Sequence, residues 1–403
     1  MVRRILLADA DAFYVSVARL MDPEGAGKAE LLIVGGSASG RGVVTSASYE
    51  ARKYGVHSAM PTARALRLCP KAMVVPVSFQ ACGEKSREIR DVLGRYAPVV
   101  EQASQDEFYL DLTGTERLYK EEPLEVTAQR MRGAVLAETQ LSVSIGGGTS
   151  RVVAKMAAGA SKPAGVLIVP AGGEEAFMRR FALADIPFVG KRFEERLARY
   201  NLKSVSDAYA AGSDNLRSWL GEREGLWLWD RIHGIDRAHV VTRGDNKSIS
   251  RDETFSVDID DDAILRAELI RMVDRAAGDL RDSELLARTI TVRLRDYDFK
   301  DRQASKTVPV PILSDQAILR VARELLTRLR AARAVPARLL GVGLSSLVRE
   351  DEDEPDQLSL LDVPGTEVES EKDRAVARVV DKLRGKLGDD AIALGRKPTR
   401  RRR

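Results

Sequence analysis

The chain has 403 residues, of which 44% are hydrophobic and 31% charged, and its formal net charge is +4. At roughly 100–200 residues per domain this length predicts about two to four domains, and the composition excludes a disordered chain or a fibrous repeat. No run approaches the about 20 apolar residues of a membrane helix, and the N-terminus lacks the apolar core of a signal peptide, so we expect a cytoplasmic protein with no membrane partner.

The first 168 residues alternate short apolar runs with helical patterns, which is typical of an α+β domain. The apolar run at residues 5–8 predicts a buried strand that ends at carboxylates. Two later runs flank a polar tip at residues 104–107, as in a β-hairpin. A helix over 151–160 is expected to end before Lys162, because the next residue is proline. We interpret the triple glycine at residues 146–148 as a turn, since the P-loop spacing is absent.

The rest of the chain divides into a helical region, a linker, a second α+β region and a tail. Residues 169–238 show helical periodicity, and residues 239–249 are polar and unpatterned. Residues 250–348 predict the order strand–helix–strand–strand–helix–strand. Ten acids against one base follow in residues 349–371, then a helical pattern, and six bases lie among the last eight residues. Those last bases alone exceed the net charge, so the total charge is weak support for nucleic-acid binding. The helical pattern carries an apolar stripe of Val376, Val379, Val380, Leu383 and Leu387.

Carboxylates gather at two of the predicted strand ends. Asp9 and Asp11 close the first strand, and Asp106 and Glu107 lie at the hairpin tip. Adjacent residues of a regular strand point to opposite faces, so Asp106 and Glu107 can serve one site only if the tip bends. With two cysteines and three scattered histidines, a soft-metal site is disfavoured, whereas clustered carboxylates suit a Mg²⁺ pair for phosphoryl transfer. Solvated loop acids are the alternative explanation.

A second group of residues could bind phosphate. It consists of Ser46, Tyr49, Arg52, Lys53 and Lys162. Arginine binds phosphate through paired hydrogen bonds, and lysine acts as a point charge. Backbone amides near Phe13 and Tyr14 could add donors at a helix N-terminus. Taken alone, each of these residues is equally typical of a solvated surface.

Four ordered segments together resemble one family, the Y-family DNA polymerases of the bacterial DinB type. The segments are LLADADAFYVSV, YEARKYGVHSAMP, SQDEFYLDLT and SVSIGGGTSRVVAKMAAGASKPAG. The resemblance extends through IPFVGKR and HGID, from about residue 4 to residue 348. It implies a multidomain α+β fold, the right-hand polymerase. The implied parts are a ferredoxin-like palm (1–18 and 76–168), small fingers (19–75), a helical thumb (169–238), a linker (239–249) and a C-terminal little-finger domain of βαββαβ order (250–348). Residues 349–403 would hold a clamp-binding peptide, a helix and a basic tail.

The resemblance also implies a reaction. Asp9, Asp106 and Glu107 would be the catalytic residues that ligate two Mg²⁺ ions, with help from the Ala10 carbonyl and with Mn²⁺ as a possible substitute. The activity would be template-directed addition of deoxynucleotides to a primer 3′-OH, of low-fidelity translesion type. Two alternatives stay open: a catalytically inactive, clamp-tethered adaptor with a polymerase fold, and a nucleotide cyclase.

For the incoming nucleotide, the resemblance makes Tyr14 the steric gate, whose ring fills the space that a ribose 2′-OH would need. Phe13 would support that ring or lie under the sugar. The implied nucleotide contacts are Phe13, Tyr14, Ser46, Tyr49, Arg52 and Lys162. Several positions depart from the family pattern: Gln105 and Phe108 beside the acids, Ala18 and Arg19, residues 147–151, and Phe188 at a glycine of the thumb turn.

Primer–template DNA and a sliding clamp are the implied macromolecular partners of a monomer associated with the nucleoid. Residues 288–295 alternate apolar side chains with Thr and Arg, which suits a strand whose outer face follows a DNA backbone. The implied DNA contacts are Lys247, Ser248, Ser250, Arg251, Arg293 and Arg295. In the acidic segment, Gln357, Leu358, Leu360 and Leu361 resemble the peptide that bacterial polymerases insert into the sliding (beta) clamp, and apolar residues without a local core suit a partner's pocket.

Overall fold

A computed structural model describes residues 2–242, 244, 246–349, 368–388 and 392. The chain forms two compact units, Met1–Gly244 and Asp245–Arg403, and the division falls inside the stretch expected to be a linker. Both units mix helices with sheets, which confirms the multidomain α+β class. Among the described residues, no helix is both long and apolar enough to cross a membrane.

The first unit contains eight strands and eleven α-helices within its described residues. In chain order they are β1 (Ile5–Ala10), α1 (Phe13–Met21), β2 (Leu32–Gly35), β3 (Val44–Ala47), α2 (Tyr49–Arg52), α3 (Thr62–Leu68), β4 (Met73–Val75), α4 (Phe79–Gly94), β5 (Val99–Gln102), β6 (Glu107–Asp111), α5 (Leu124–Thr139), β7 (Val143–Gly148), α6 (Arg151–Ser161), β8 (Val166–Ile168), α7 (Glu174–Met178), α8 (Lys191–Ala198), α9 (Val205–Ala211), α10 (Ser213–Leu220) and α11 (Glu222–Ile232), with a 3₁₀ turn at Leu183–Asp185.

A five-stranded sheet in the order β5-β6-β1-β7-β8 forms the centre of this unit. Strand β1 is buried on both faces, which explains its unbroken apolar run. Leu6 and Ala8 pack with residues of α4 and α5, whereas Ile5 and Leu7 pack with residues of α6. Because side chains alternate along a strand, Asp9 shares the face of Ile5 and Leu7 and points toward α6.

The triple glycine is not a turn, and that prediction is wrong. Gly146 and its two successors are the last residues of β7 and pair with β1. A Cβ on Gly146 would lie 1.9 Å from the backbone nitrogen of Ala158, and one on Gly147 would lie 2.5 Å from Leu6 Cδ2. Gly146, and Gly148 with a Cβ position 2.5 Å from Val153 Cγ1, therefore let α6 approach the sheet closely, whereas Gly147 faces the other side of the sheet. Helix α6 is the helix that faces the carboxylates.

Two smaller assemblies complete the first unit. A three-stranded sheet in the order β3-β2-β4 packs against α2 and α3 through its own apolar cluster. Helices α7–α11 enclose a separate core, as the helical periodicity predicted.

The second unit has the predicted order of strands and helices. Its elements are β9 (Ser248–Ile259), α12 (Asp262–Asp282), β10 (Leu285–Asp296), β11 (Asp301–Ile312), α13 (Asp315–Ala332), β12 (Ala337–Arg349) and α14 (Glu371–Leu387). The antiparallel sheet has the order β11-β10-β12-β9, and α12 and α13 pack on one of its faces.

Helix α14 packs on the second unit mainly through charged groups. Arg281 donates to Asp381 at 2.6 and 2.9 Å, and Arg384 contacts both oxygens of Asp274 at 2.9 Å. The apolar stripe instead faces largely outward, since Val379 is 55% exposed. Ion pairs therefore determine which face of α14 packs against the rest of the second unit, and the apolar pattern does not reveal them.

Candidate active site

Strand pairing brings two of the predicted acids together. Asp9 on β1 lies directly opposite Glu107 on β6, and opposite Ser144 on β7. Directly opposed residues of an antiparallel pair share a face, with Cβ atoms about 4.5–5.5 Å apart. The two carboxylates, 98 positions apart in the chain, therefore meet on the side of the sheet that α6 covers.

The hairpin tip bends as the sequence required. Backbone nitrogens of Ala103 and Ser104 both donate to the Glu107 carbonyl, at 2.9 and 3.3 Å. The Ser104 hydroxyl donates to Asp106 Oδ1 at 2.6 Å, and the Asp106 carbonyl accepts from Ala10 N at 2.9 Å. Asp106 is thereby held beside the end of β1. In a regular strand it would instead point to the face of the sheet opposite Glu107.

Two lysines from α6 and its C-terminal end contact the opposed acids. Lys162 Nζ lies 2.5 Å from Asp9 Oδ1, and Lys155 Nζ lies 2.7 Å from both oxygens of Glu107. The Asp9 and Glu107 side chains keep 13% and 22% of their surface exposed, so the site is open to solvent on one side. A lysine ammonium group therefore occupies a carboxylate oxygen of Asp9 and of Glu107 that could otherwise bind a metal ion.

The pKa of Asp9 is raised to about 6, chiefly by burial; Lys162 lowers it, and the charges of Glu107 and Asp106 contribute to the rise. The three carboxylates are thus close enough to repel one another, which is the electrostatic condition that a bound cation relieves. Among the residues that the structure describes, no three acidic, His or Cys side chains are already gathered as a metal site. With oxygen-only donors, the cations that fit these residues are hard ions such as Mg²⁺.

Asp11 is a buried hydrogen-bond acceptor behind the site. Its Oδ1 accepts from the Ser144 hydroxyl at 2.8 Å and from the Tyr49 hydroxyl at 3.4 Å. Its Oδ2 accepts from the Ser142 hydroxyl at 2.7 Å and from the Ala164 backbone nitrogen at 2.9 Å. Asp11 therefore connects β1, β7, α2 and the loop that carries Lys162.

The predicted phosphate-binding residues lie around the start of α2. Arg52 stacks on the Tyr49 ring, with its guanidinium carbon 5.0 Å from the ring centroid, and its Nε donates to the Ala47 carbonyl at 2.9 Å. Burial, and then the charge of Asp11, raise the pKa of Tyr49 to about 12, so its hydroxyl stays a hydrogen-bond donor. Ser46 is buried on β3. Lys162 contacts the acids directly through Asp9, whereas Tyr49 contacts Asp11, which precedes α1 at the end of β1.

Phe13 and Tyr14 begin α1, immediately after the left-handed residue Ala12 (φ 43°). Phe13 is buried, and Tyr14 packs edge-on against it with ring centroids 5.4 Å apart. The Tyr14 hydroxyl donates to Gln105 Oε1 at 3.5 Å, and the Asp106 charge contributes to raising the Tyr14 pKa. Tyr14 is therefore next to the hairpin tip that carries the acids.

The second unit has an open sheet face of hydroxyl and arginine side chains. Ile290, Val292 and Leu294 are fully buried beneath it, which confirms the predicted alternation. Arg293 and Arg295 both contact Asp301, at 3.5 and 2.8 Å. Neighbouring hydroxyls form ladders across the strands, such as Thr291 with Ser305 at 2.8 Å and Thr289 with Thr307 at 3.0 Å.

Two of the expected DNA contacts on β9 lie on opposite sides of the sheet. Ser250 is opposite Gly343 on the open face, whereas Arg251 is opposite the buried Val342 and forms an ion pair with Asp279 of α12. Ser248 has the parity of Ser250, and Lys247 directly precedes the strand. The clamp-like residues Gln357, Leu358, Leu360 and Leu361 lie outside the described residues.

Phe188 adopts a left-handed backbone, with φ 73°, and is 88% exposed. The turn before α8 thus keeps a conformation that glycine usually adopts, although a bulky residue occupies it.

Comparison with known proteins identifies the chain. Residues 8–159 match the impB/mucB/samB family, and residues 246–360 match the C-terminal domain of that family. DNA polymerase IV of Dehalococcoides mccartyi (strain CBDB1) is 33% identical over 401 residues, which cover 98% of this chain and 97% of the relative. DNA polymerase IV of Caulobacter vibrioides (strain ATCC 19089 / CIP 103742 / CB 15) is 34% identical, with 96% and 92% covered. The chain belongs to the Y-family DNA polymerases of the DinB type.

The fold of this polymerase is similar to solved structures. The Y-family DNA polymerase chimera Dbh-Dpo4(243-245)-Dbh aligns with a TM-score of 0.76 at 23% identity, covering 86% of this chain and 99% of that one. An insertion ternary complex of Dbh DNA polymerase aligns with a TM-score of 0.60 at 24% identity over similar shares. The predicted right-hand fold is thereby confirmed. The chain is a divalent-metal-dependent, DNA-directed DNA polymerase of translesion type, and the adaptor and cyclase alternatives are not favoured.

Sequence reasoning missed two features of the polymerase site. Lys155 was not singled out, although it stands seven residues before Lys162, a spacing that places both on one side of α6. The four hydrogen bonds to Asp11 were missed as well. The spacing of Asp9 and Asp11, two residues apart at the end of β1, was an available signal that both side chains lie on one side of the sheet.

Proposed function

We propose that this polymerase carries out template-directed translesion synthesis at the junction of β1, the hairpin tip and α6. The observation that carries the proposal is the cross-strand pairing of Asp9 with Glu107, with Asp106 held beside them. The parts would be a palm (1–18 and 76–168), fingers (19–75), a thumb (169–238), a linker (239–249) and a little finger (250–348), with residues 349–403 as the clamp peptide, helix and tail.

Asp9, Asp106 and Glu107, with the Ala10 carbonyl, would hold two Mg²⁺ ions, and Mn²⁺ could take their place. Such ions lower the pKa of an attacking hydroxyl and stabilise the charge of a triphosphate. The protein's own contribution is to keep three anionic groups together against their mutual repulsion, using the buried strand end and the Ser104 hydrogen bond.

The lysines of α6 are proposed to neutralise the acids until substrate arrives. Lys162 and Lys155 each satisfy one carboxylate, so the site does not carry uncompensated charge in a half-buried position. When a triphosphate is bound, Lys162 would exchange its carboxylate partner for phosphate oxygens, for which an ammonium is a suitable point charge.

The nucleotide would lie between α1 and α2. Tyr49 and Arg52 would contact the phosphates together with Ser46, and Phe13 and Tyr14 would contact the sugar. Tyr14 serves as the steric gate in this proposal, because its ring lies next to the hairpin tip that carries the acids and would occupy the space of a ribose 2′-OH.

Primer–template DNA would run along the open face of the second unit. Arg293, Arg295, Ser248, Ser250 and Lys247 suit phosphate contacts, which require donors without base specificity. Arg251 was also expected there, but its ion pair with Asp279 favours a role in packing. Binding of a sliding clamp through residues 357–361, a monomeric state and association with the nucleoid remain predictions from the family resemblance.

Primer extension tests this proposal. Asp106→Asn should reduce extension in Mg²⁺ by at least 10³-fold, since charge at the developing transition state is the main source of rate. Asp111→Asn is the matched control, because Asp111 lies at the other end of β6 and accepts a hydrogen bond from Thr113 N at 2.9 Å. Equal activity of the two variants would refute the assignment of the acids.

A further inference from the structure

An open pocket of about 240 Å³ lies behind the Tyr14 ring. Its walls include Val17 and Ala18 of α1, Val34 of β2, Val75 of β4 and Cys82 of α4. Most of its lining is apolar, and it occupies the seam between two apolar clusters of the first unit. Packed side chains normally leave little such space, so an open apolar volume beside the proposed steric gate is notable.

The Tyr14 side chain has packed, polar and open surroundings. It packs against two apolar clusters of the first unit, and the Phe13 ring lies edge-on to it. The Tyr14 hydroxyl donates to Gln105 Oε1 at 3.5 Å, a length at which a neutral hydrogen bond is at its geometric limit and restrains the ring weakly. Tyr14 also lines the pocket, so part of this residue borders open space.

We propose that the pocket is the space into which the Tyr14 ring withdraws, and that Cys82 and Gln105 together set how strongly the polymerase excludes ribonucleotides. This inference rests on the proposed role of Tyr14 as the steric gate. Gln105 holds the ring toward the sugar, and the small Cys82 side chain leaves the volume that allows it to retreat. Both are positioning residues, since they act on substrate through Tyr14.

The volume is sufficient for such a movement. A cavity of about 150 Å³ accepts a benzene molecule, so 240 Å³ has room for a displaced phenol ring. Cys82 of α4 lines the same pocket as Tyr14, and Gln105 at the hairpin tip accepts the hydrogen bond from its hydroxyl. Because the two residues lie on different elements, they can be changed independently.

The test compares kcat/KM for a deoxynucleotide and for the matching ribonucleotide. Cys82→Leu reduces the pocket and should raise the discrimination ratio about threefold to tenfold, with kcat/KM for the deoxynucleotide within twofold of wild type. Gln105→Met removes the hydrogen-bond acceptor at similar volume and should lower the ratio by about twofold to threefold, the lower end of what one neutral hydrogen bond contributes. Cys82→Leu in the Gln105→Met background should restore it. Cys82→Ala is the matched control that keeps the pocket open and should not raise the ratio.

A series of nucleotides with 2′-fluoro, 2′-hydroxyl and 2′-methoxy groups separates gate position from general damage. Filling the pocket should penalise the larger groups progressively and leave the 2′-hydrogen substrate unaffected, whereas a folding defect would lower all rates together. Unchanged ratios in both Cys82→Leu and Gln105→Met, alongside Tyr14→Ala that does admit ribonucleotides, would overturn this inference and leave the gate intact. If Tyr14→Ala itself leaves the ratio unchanged, the proposed gate fails instead.

Discussion

Replacing Lys162 by methionine should make the polymerase more dependent on divalent cations for its stability. Lys162 forms a 2.5 Å ion pair with Asp9, and the two side chains are 26% and 13% exposed. A hydrogen bond between charged groups contributes about 1.5–3 kcal/mol, and partial exposure favours the lower end of that range. We therefore expect Lys162→Met to lower the free energy of unfolding by about 1.5 kcal/mol in the absence of metal.

For a unit of this size, a loss of 1 kcal/mol lowers Tm by about 2–4 °C, so the expected decrease is about 3–6 °C. Adding Mg²⁺ should restore most of it, because a bound cation replaces the missing ammonium at Asp9 and stabilises the native state by mass action. The Mg²⁺-induced rise in Tm should thus be larger in Lys162→Met than in wild type by about the same 3–6 °C, measured by differential scanning fluorimetry.

Lys85→Met is the matched control. Lys85 is equally shielded, with 25% exposure, and its ammonium pairs with Glu88 at 2.7 Å and donates to the Thr139 carbonyl, remote from the acids in the sequence. It should lose stability to a similar or smaller extent but show the Mg²⁺ response of wild type. If Mg²⁺ raises the Tm of Lys162→Met and of Lys85→Met by the same amount, then Lys162 and the metal do not compete for Asp9, and the reasoning fails.

Three other changes have defined outcomes. Asp296→Asn should lower the free energy of unfolding of the second unit by about 3–5 kcal/mol, measured in urea. Asp296 is fully buried and lies 2.7 Å from the Arg302 guanidinium, which would lose this charge partner. A decrease of less than about 1 kcal/mol would contradict this. Asp301→Asn should tighten DNA binding, because it releases Arg293 and Arg295 from their ion pairs. The slope of log Kd against log salt concentration should become steeper by an amount that corresponds to about one or two additional phosphate contacts. Unchanged affinity would exclude these arginines from the interface. Deleting residues 357–361 should abolish stimulation by a sliding clamp while leaving clamp-free extension intact, and surviving stimulation would refute the clamp peptide.

The positions of the acids could be predicted from the sequence because strand burial and a polar hairpin tip both have local signatures. The unbroken apolar run before Asp9 predicts a central strand, and the Ser104-containing tip predicts the bend that Asp106 needs. The cross-strand register of Asp9 with Glu107 depends on contacts between distant segments, and only the family resemblance supplied it in advance.

Other features had no local signature. The triple glycine without P-loop spacing predicts a turn, and glycine has low strand propensity, but close packing by α6 outweighs propensity there. The apolar stripe of α14 leaves open whether this helix docks on the body or on a partner, and the ion pairs of Asp381 and Arg384 place a neighbouring face against the second-unit helix α12. In both places tertiary contacts decide what the pattern along the chain does not.

Counting bound divalent ions tests the central claim most directly. Electron paramagnetic resonance of Mn²⁺ titrated into the complex with primed DNA and a non-hydrolysable deoxynucleotide should show two ions per wild-type chain, and at most one in Asp9→Asn. Glu107→Gln should lose an ion in the same way, whereas Asp111→Asn should keep both. Two ions retained in Asp9→Asn and Glu107→Gln would contradict the account.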